Sequence, residues 1–161
     1  MENIRIVELP GCKMVSSGCC TDENPFAEGS QLMRFNEWWS AVDARRADRF
    51  FPRDFMWYDR EHNGQVWYYA ISDDSLETGG FDVIDFPGGL YAAAVSRDGD
   101  DEDGNRVYNA VINWIKDSNC FELDLHPGHY DMFHVITSPA AAEIMGYKQL
   151  EIYVPIKPRA V

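Results

Sequence analysis

Glu151 and Tyr153 stand two residues apart near the end of the chain, in the run Gln149-Leu150-Glu151-Ile152-Tyr153-Val154-Pro155-Ile156-Lys157. The alternation predicts a strand. Leu150, Ile152, Val154 and Ile156 fall on one face; Gln149, Glu151 and Tyr153 fall on the other. A strand this apolar belongs inside a sheet rather than at its rim, so Glu151 is partly desolvated and needs a partner. No Lys or Arg suggests itself on the same face, which points to an external cation. The neighbouring phenol suits the same ligand, because Tyr and Trp faces attract a delocalised cation by roughly 0.5–2 kcal/mol each. A flat apolar body adds about 25 cal/mol for each Å² it buries.

Other residues with chemical potential read less sharply. His126, His129 and His134 lie close together with Asp131, which raises the question of a metal. Pro127-Gly128 breaks that segment, and His126-x-x-His129 is not a ligand spacing on a strand face, so these read as surface or turn histidines. His134 alternates with Phe133 and Val135 and could instead line a pocket. The acid-rich stretch from Asp98 to Gly104 lacks the glycine and glutamate positions of a calcium loop. It reads as a solvated loop leading into a helix N-terminus. Cys12, Cys19, Cys20 and Cys120 show no CxxC spacing and read as reduced thiols, with Cys19-Cys20 as ordinary strand residues. No GxSxG nucleophile motif is present. No metal and no cofactor are expected.

Composition narrows the classes. The chain has 161 residues, enough for one domain with a substantial core. Its net charge of −13 disfavours direct nucleic-acid binding and anionic membrane surfaces. Aromatics make up 14% of residues, which asks for a large core or an aromatic-lined pocket. No basic, apolar leader follows Met1-Glu2-Asn3, and no apolar run is long enough to span a bilayer, so a cytoplasmic location is expected.

The elements that must position Glu151 and Tyr153 can be read in order. Ile4–Leu9 and Lys13–Cys20 read as extended, separated by Pro10-Gly11. Ser30 is a plausible N-cap for a helix carrying Leu32, Phe35, Trp39 and Val42, with Trp38 beside that stripe. That helix should fade between Arg46 and Arg49, before Pro52. Phe55–Asp59 and Val66–Ile71 read as aromatic strands joined through Asn63-Gly64, the preferred type I′ hairpin pair. Ser72–Gly80 reads as a linker. Phe81–Phe86 and Leu90–Ser96 are further strands, followed by the acidic loop from Asp98 to Asn105. Val107, Val111 and Trp114 mark a second helix, capped near Asp103 and ended by Asn119. Phe121–Leu125 and Met132–Ile136 read as extended. Ser138-Pro139 starts a short helical turn that Gly146 stops.

Glu8-Leu9-Pro10-Gly11 recurs as Asp85-Phe86-Pro87-Gly88, each time between two strands and ahead of a Trp-bearing helix. This order of elements predicts an internal duplication. The expected fold is α+β: two βαββ-type halves, approximately 1–75 and 80–158, related by a pseudo-two-fold. An antiparallel sheet would pack against two main helices. A central groove would lie between the halves, bordered by Val66–Ile71 and Gln149–Ile156.

With these residues in hand, the chain resembles the GyrI-like small-molecule-binding domain, the effector-binding domain of AraC-type and multidrug-responsive transcription activators. The resemblance rests on Val7-Glu8-Leu9-Pro10, Phe86-Pro87-Gly88-Gly89-Leu90-Tyr91-Ala92, Trp114-Ile115 and Leu150-Glu151-Ile152-Tyr153-Val154-Pro155-Ile156, and it covers nearly the whole chain as a single domain. It implies a pocket lined by aromatics and an acid that takes bulky, hydrophobic, often cationic compounds. Glu151, Tyr153 and Tyr91 match that pattern directly. Trp67 and Tyr69, with Trp38 and His134, are further candidates for ligand contact. Many relatives are fused to a helix-turn-helix domain that is not visible here, so the resemblance implies either a stand-alone member or an effector domain whose DNA-binding partner or fused domain lies outside this chain. The implied role is a stand-alone sensor or sequestering domain rather than an enzyme. Two alternatives stand beside it. One is a hydrolase of electrophilic, cyclopropane-type toxic compounds, with Glu151 as base and the Tyr153 hydroxyl polarising the electrophile. The other is a protein-interaction module with a filled core.

Overall fold

The computed structural model describes residues 3–47, 53–71 and 77–160. In chain order the elements are β1 (Arg5–Leu9), β2 (Cys12–Ser16), α1 (Gln31–Arg45), β3 (Asp54–Asp59), β4 (Gly64–Ala70) and β5 (Asp82–Phe86). They continue with β6 (Gly89–Arg97), α2 (Asp101–Asp117), β7 (Phe121–Leu123), β8 (Met132–Val135), α3 (Pro139–Met145) and β9 (Gln149–Pro158). The class is α+β, as expected. Of the expected linker Ser72–Gly80, residues 72–76 lie outside the described residues, as do residues 48–52; the first helix, expected to fade between Arg46 and Arg49, ends at Arg45 with Arg46 as its C-cap.

Each helix starts where its side chains can satisfy the free backbone N–H groups of the first turn. The Ser30 hydroxyl accepts from Met33 N at 3.2 Å and opens α1. Asp100 accepts from Asp103 N at 3.0 Å and opens α2. Asp101, Glu102 and Asp103 then fill the first turn, where they complement the helix dipole. This corrects two expectations. The helix begins inside the stretch read as an acidic loop, and its cap is Asp100 rather than Asp103. It ends at Asp117, with Ser118 as its C-cap, just before Asn119. Ser138 caps α3, Pro139 occupies its first turn, and Gly146 at φ 75° closes it, as the sequence predicts.

The chain forms two compact units, one running from Cys12 to Phe86, the other joining the residues up to Gly11 to those from Pro87 onward. In the first, the strand order is β5-β2-β4-β3, with α1 joining β2 to β3. In the second, the order is β1-β6-β9-β8, with α2 following β6 and β7 pairing the far end of β9. Each ladder within these units is antiparallel. The same order of corresponding strands in both units is the internal duplication. The units do not follow a cut between residues 75 and 80. Instead β1 pairs β6, with Leu9 opposite Gly89, while β5 pairs β2, with Phe86 opposite Cys12. Each half thus gives its first strand to the other half's unit.

Each unit covers one face of its strands with its own helix. In the second unit Val107, Val111 and Ile115 of α2 bury against Ala92, Ala94, Ile152, Val154 and Ile156. In the first, Phe35 and Val42 of α1 bury against Val15 and Tyr69. Each fully buried side chain of this kind contributes roughly 1.5–3 kcal/mol.

The β3–β4 connection differs from the expected two-residue turn. Asp59 pairs Gly64, so the loop holds four residues, and Asp59 Oδ1 accepts from the backbone N–H of Glu61 and His62. Asn63 alone takes a positive φ, 54°. Gly64 is needed for another reason: a Cβ there would run into Cys19 Sγ and the Cys20 carbonyl.

Candidate functional site

β9 is a central strand, which is what desolvates Glu151. Along this part of the strand it is flanked by β6 and β8, so Glu151 sits between Val95 and His134, and Tyr153 between Ala93 and Met132. Ile152 and Val154 point into the α2 core, so Glu151, Tyr153 and His134 occupy the face turned away from that helix. All three are buried, with Glu151 only 3% exposed.

The carboxylate is fully engaged. The Tyr153 hydroxyl donates to Glu151 Oε2 at 2.6 Å, and His134 Nε2 lies 3.2 Å from that hydroxyl and 3.6 Å from Oε2. Arg5 Nη2 donates to Oε1. This overturns the expectation that no basic residue reaches the acid. Arg5 lies opposite Ala93, one strand beyond β6, and the small side chains of the Ala92-Ala93-Ala94 run leave room for it to cross over. The arginine side chain remains 56% exposed, against 4% for its partner.

The electrostatics follow from this geometry. Burial alone would raise the Glu151 pKa, but hydrogen bonds from His134, Tyr153 and Arg5 and the charge of Arg5 outweigh it, bringing it down to about 2. Burial, reinforced by the hydrogen bond to Glu151 and its charge, pushes the Tyr153 phenol well above its ordinary value. Burial does the same to Tyr91.

Tyr91 joins this group through its ring. Its centroid lies 5.9 Å from that of Tyr153, and the planes cross at 80°. The side chain is completely buried, and its hydroxyl has no hydrogen-bond partner among the described residues. A buried unsatisfied hydroxyl calls for an explanation, and a polar ligand atom is one. On the other side of Tyr91, at 4.8 Å between centroids, is His129. His129 also explains Gly89, since a Cβ there would come within 2.7 Å of its Nε2.

Trp38, Trp67 and Tyr69 form a different cluster, in the Cys12–Phe86 unit. Trp67 and Tyr69 lie on the helix-covered face of β4, packed with Phe35, Trp38 and Trp39. Their polar atoms are satisfied locally. The Tyr69 hydroxyl donates to Asp43 at 3.0 Å, and the indole N–H groups of Trp67 and Trp38 reach Asp54 and the Glu77 carbonyl. This is the packing of a core under α1. The register shows which residue of β4 matches Tyr153. Tyr153 lies opposite Ala93 of β6, and Tyr68 lies opposite Ser16 of β2, the corresponding strand. Tyr68 therefore occupies the helix-free face, beside Trp57 at 5.9 Å. The sequence reading missed Tyr68 because adjacent aromatics in an all-aromatic run do not reveal which alternate set faces the helix.

Two expectations about acidic and histidine residues also change: His129 and His134, read as surface or turn histidines, are both buried, and the acid beside the histidines of the turn is not Asp131. Asp131 accepts from the Tyr108 hydroxyl at 2.9 Å, whereas Asp124 is the acid that meets His126 and His129. A polar cavity of about 390 Å³ is lined by Val95, Arg97, Asp100, Asp103, Tyr147 and Gln149. Its charged groups are engaged at home: Asp103 accepts from Arg106 and from Arg97 N, and the Arg97 guanidinium lies over the Tyr147 ring.

No family model matches the sequence, and no curated protein resembles it significantly. Solved structures do match. The EcmrR C-terminal domain aligns with a TM-score of 0.66 at 14% identity, over 98% of each chain. SAV2435 bound to tetraphenylphosphonium aligns with a TM-score of 0.59 at 12% identity, over 96% of this chain and 94% of that one. A hydrolase from Listeria innocua aligns at 0.58 with 10% identity, over 97% and 92%. No helix among the described residues is long and apolar enough to cross a membrane. The duplicated strand order and these alignments together show that the chain has the fold of the GyrI-like effector-binding domains.

Proposed function

We propose that this chain binds hydrophobic, aromatic, cationic small molecules, with Glu151 as the charge partner and Tyr153, Tyr91 and His134 beside it. One observation carries the reading: a buried, ionised carboxylate is neutralised by an arginine that is itself more than half exposed. Arg5 occupies the place an organic cation would take, and exchanging one for the other keeps Glu151 paired. Leaving it unpaired would cost several kcal/mol. The unsatisfied Tyr91 hydroxyl and the Tyr153 ring add a polar anchor and a cation-attracting face. The tetraphenylphosphonium bound to the structurally similar SAV2435 is a cation of this kind. We assign the chain a sensor or sequestering role in the cytoplasm. A DNA-binding partner or fused domain would supply any regulatory output, since this chain spans 57% of the EcmrR chain in its complex with DNA.

The hydrolase alternative fits less well. A general base needs a free lone pair near the water it activates and a pKa near the working pH. Both Glu151 oxygens are occupied and its pKa is held at about 2. The filled-core alternative describes the Trp38, Trp67 and Tyr69 cluster but leaves the buried charge without a purpose.

Calorimetric titration with tetraphenylphosphonium and with a neutral aromatic of similar size tests the proposal. Glu151→Gln should weaken the cation by about 10- to 100-fold, some 1.4–2.8 kcal/mol, and the neutral compound far less. Arg5→Ala should tighten the cation, because the competing guanidinium is gone. Equal losses for both compounds in Glu151→Gln would remove the charge argument.

A further inference from the structure

We infer that Asp124, His126 and His129 form a three-ligand site for a first-row transition metal ion of the zinc type. The site adjoins the ligand-binding residues through the His129–Tyr91 contact, but its argument does not depend on that reading. The turn between β7 and β8 builds it. His126 N donates to His129 O at 3.3 Å and His129 N to His126 O at 2.9 Å, so Pro127-Gly128 closes a two-residue hairpin with Gly128 at φ 89°. A mutually hydrogen-bonded pair of this kind puts both side chains on one side of the ribbon. Asp124 lies two residues before His126 and points the same way. An i, i+3 histidine spacing that no regular strand could use thus becomes a ligand pair.

The distances suit a metal. Asp124 Oδ2 lies 3.0 Å from His129 Nδ1 and 3.5 Å from His126 Nε2, and all three ligand atoms fall within 4.8 Å of one another. Ligand bonds of about 2.0–2.2 Å in a tetrahedron place donor atoms about 3.3 Å apart. Two of the three edges are already near this value, and the half-exposed His126 side chain can close the third.

The tautomer of His126 fits this role. His126 Nδ1 lies 3.0 Å from the Pro127 carbonyl, which can only accept, so that nitrogen carries the proton. Nε2 then turns its lone pair toward a carboxylate oxygen. Two acceptors facing each other require a cation between them, either a proton or a metal. A histidine held at its second nitrogen by a backbone carbonyl is the usual arrangement of a metal ligand. His129, 4% exposed, is fixed against Tyr91 and so gives the site one rigid anchor. Two imidazoles and one carboxylate leave a fourth position open and favour zinc, nickel or copper over calcium or magnesium. Lys157 opposes the metal, since its Nζ lies 3.4 Å from Asp124 Oδ1.

Titration of the metal-free full chain with Zn²⁺ and Co²⁺ tests the site. One ion should bind, and Co²⁺ should give the visible absorption of a four-coordinate N,O site. His126→Ala, at an exposed position, should weaken binding by about 100-fold or more while leaving the fold intact. Lys157→Gln should strengthen it by roughly 10-fold, as one nearby positive charge is removed. Glu151→Gln should leave metal affinity unchanged, which separates this result from the ligand test. The free thiols are the competing ligands, and they would reveal themselves by an intense near-ultraviolet thiolate-to-cobalt band. Such a band, binding undiminished in His126→Ala, or no binding at millimolar metal would each overturn the assignment.

Discussion

Glu151 shows how much one residue's meaning depends on its neighbours. On its own strand it is an acid among apolar residues, and its need for a partner follows from that alone. The partner's identity comes from Arg5, at the other end of the chain. The pair has a measurable consequence. A carboxyl whose folded-state pKa is depressed contributes stability that is complete above its unfolded value, near 4.5. That stability is lost as pH falls toward the folded value of about 2. After allowance for solvent around the exposed Arg5, the loss is about 2 kcal/mol. Denaturant unfolding of the wild type and of Glu151→Gln across this window should show the wild type losing that much more than the variant. Parallel pH profiles would contradict the pairing.

At the level of elements, two glycines that look alike in sequence have opposite roles. Gly104 lies inside α2, and a Cβ there would meet nothing within 4 Å. Gly104→Ala should therefore stabilise the protein by roughly 0.5–1 kcal/mol, read as a higher Tm. Gly89 opens β6 at φ 141° and faces His129 Nε2. Gly89→Ala should destabilise through backbone strain and through displacement of His129, and it should also weaken metal binding. The Phe86-Pro87-Gly88-Gly89 motif thus reflects space as well as turning. A Cβ on Gly88 would collide with the Leu9 carbonyl and with Gly11 N, where the two Pro-Gly turns come together.

For the molecule as a whole, the exchange of first strands has the largest consequence. β1 lies at the end of its unit's strand order, paired with β6 through five residue pairs. Deleting residues 1–11 would remove that strand and Arg5 together. The truncated chain should lose hydrogen-exchange protection at the β6 amides that face β1, and it should titrate Glu151 at a higher pKa. Protection unchanged at those amides would argue against the pairing.

Local sequence was sufficient for features that arise within a few residues. The Ser30 and Ser138 caps, the helical stripes, the alternation of β9 and the repeated Pro-Gly turns all follow from short-range sterics and hydrogen bonding, and the structure has each of them. Repetition of the turn was enough to expose the duplication. What pattern could not supply was registration between distant strands. Whether Trp67 or Tyr68 turns away from α1, which strand receives β1, and which cation meets Glu151 depend on pairings between residues far apart in the chain. A one-residue slip would reverse every one of those faces. The same holds for Asp124, His126 and His129, which become neighbours only because a two-residue turn folds one histidine back onto the other. Sequence by itself determined the elements and an acid in need of a partner; tertiary structure decided the partner, because ion pairs and ligand sets form between side chains that only folding brings within reach.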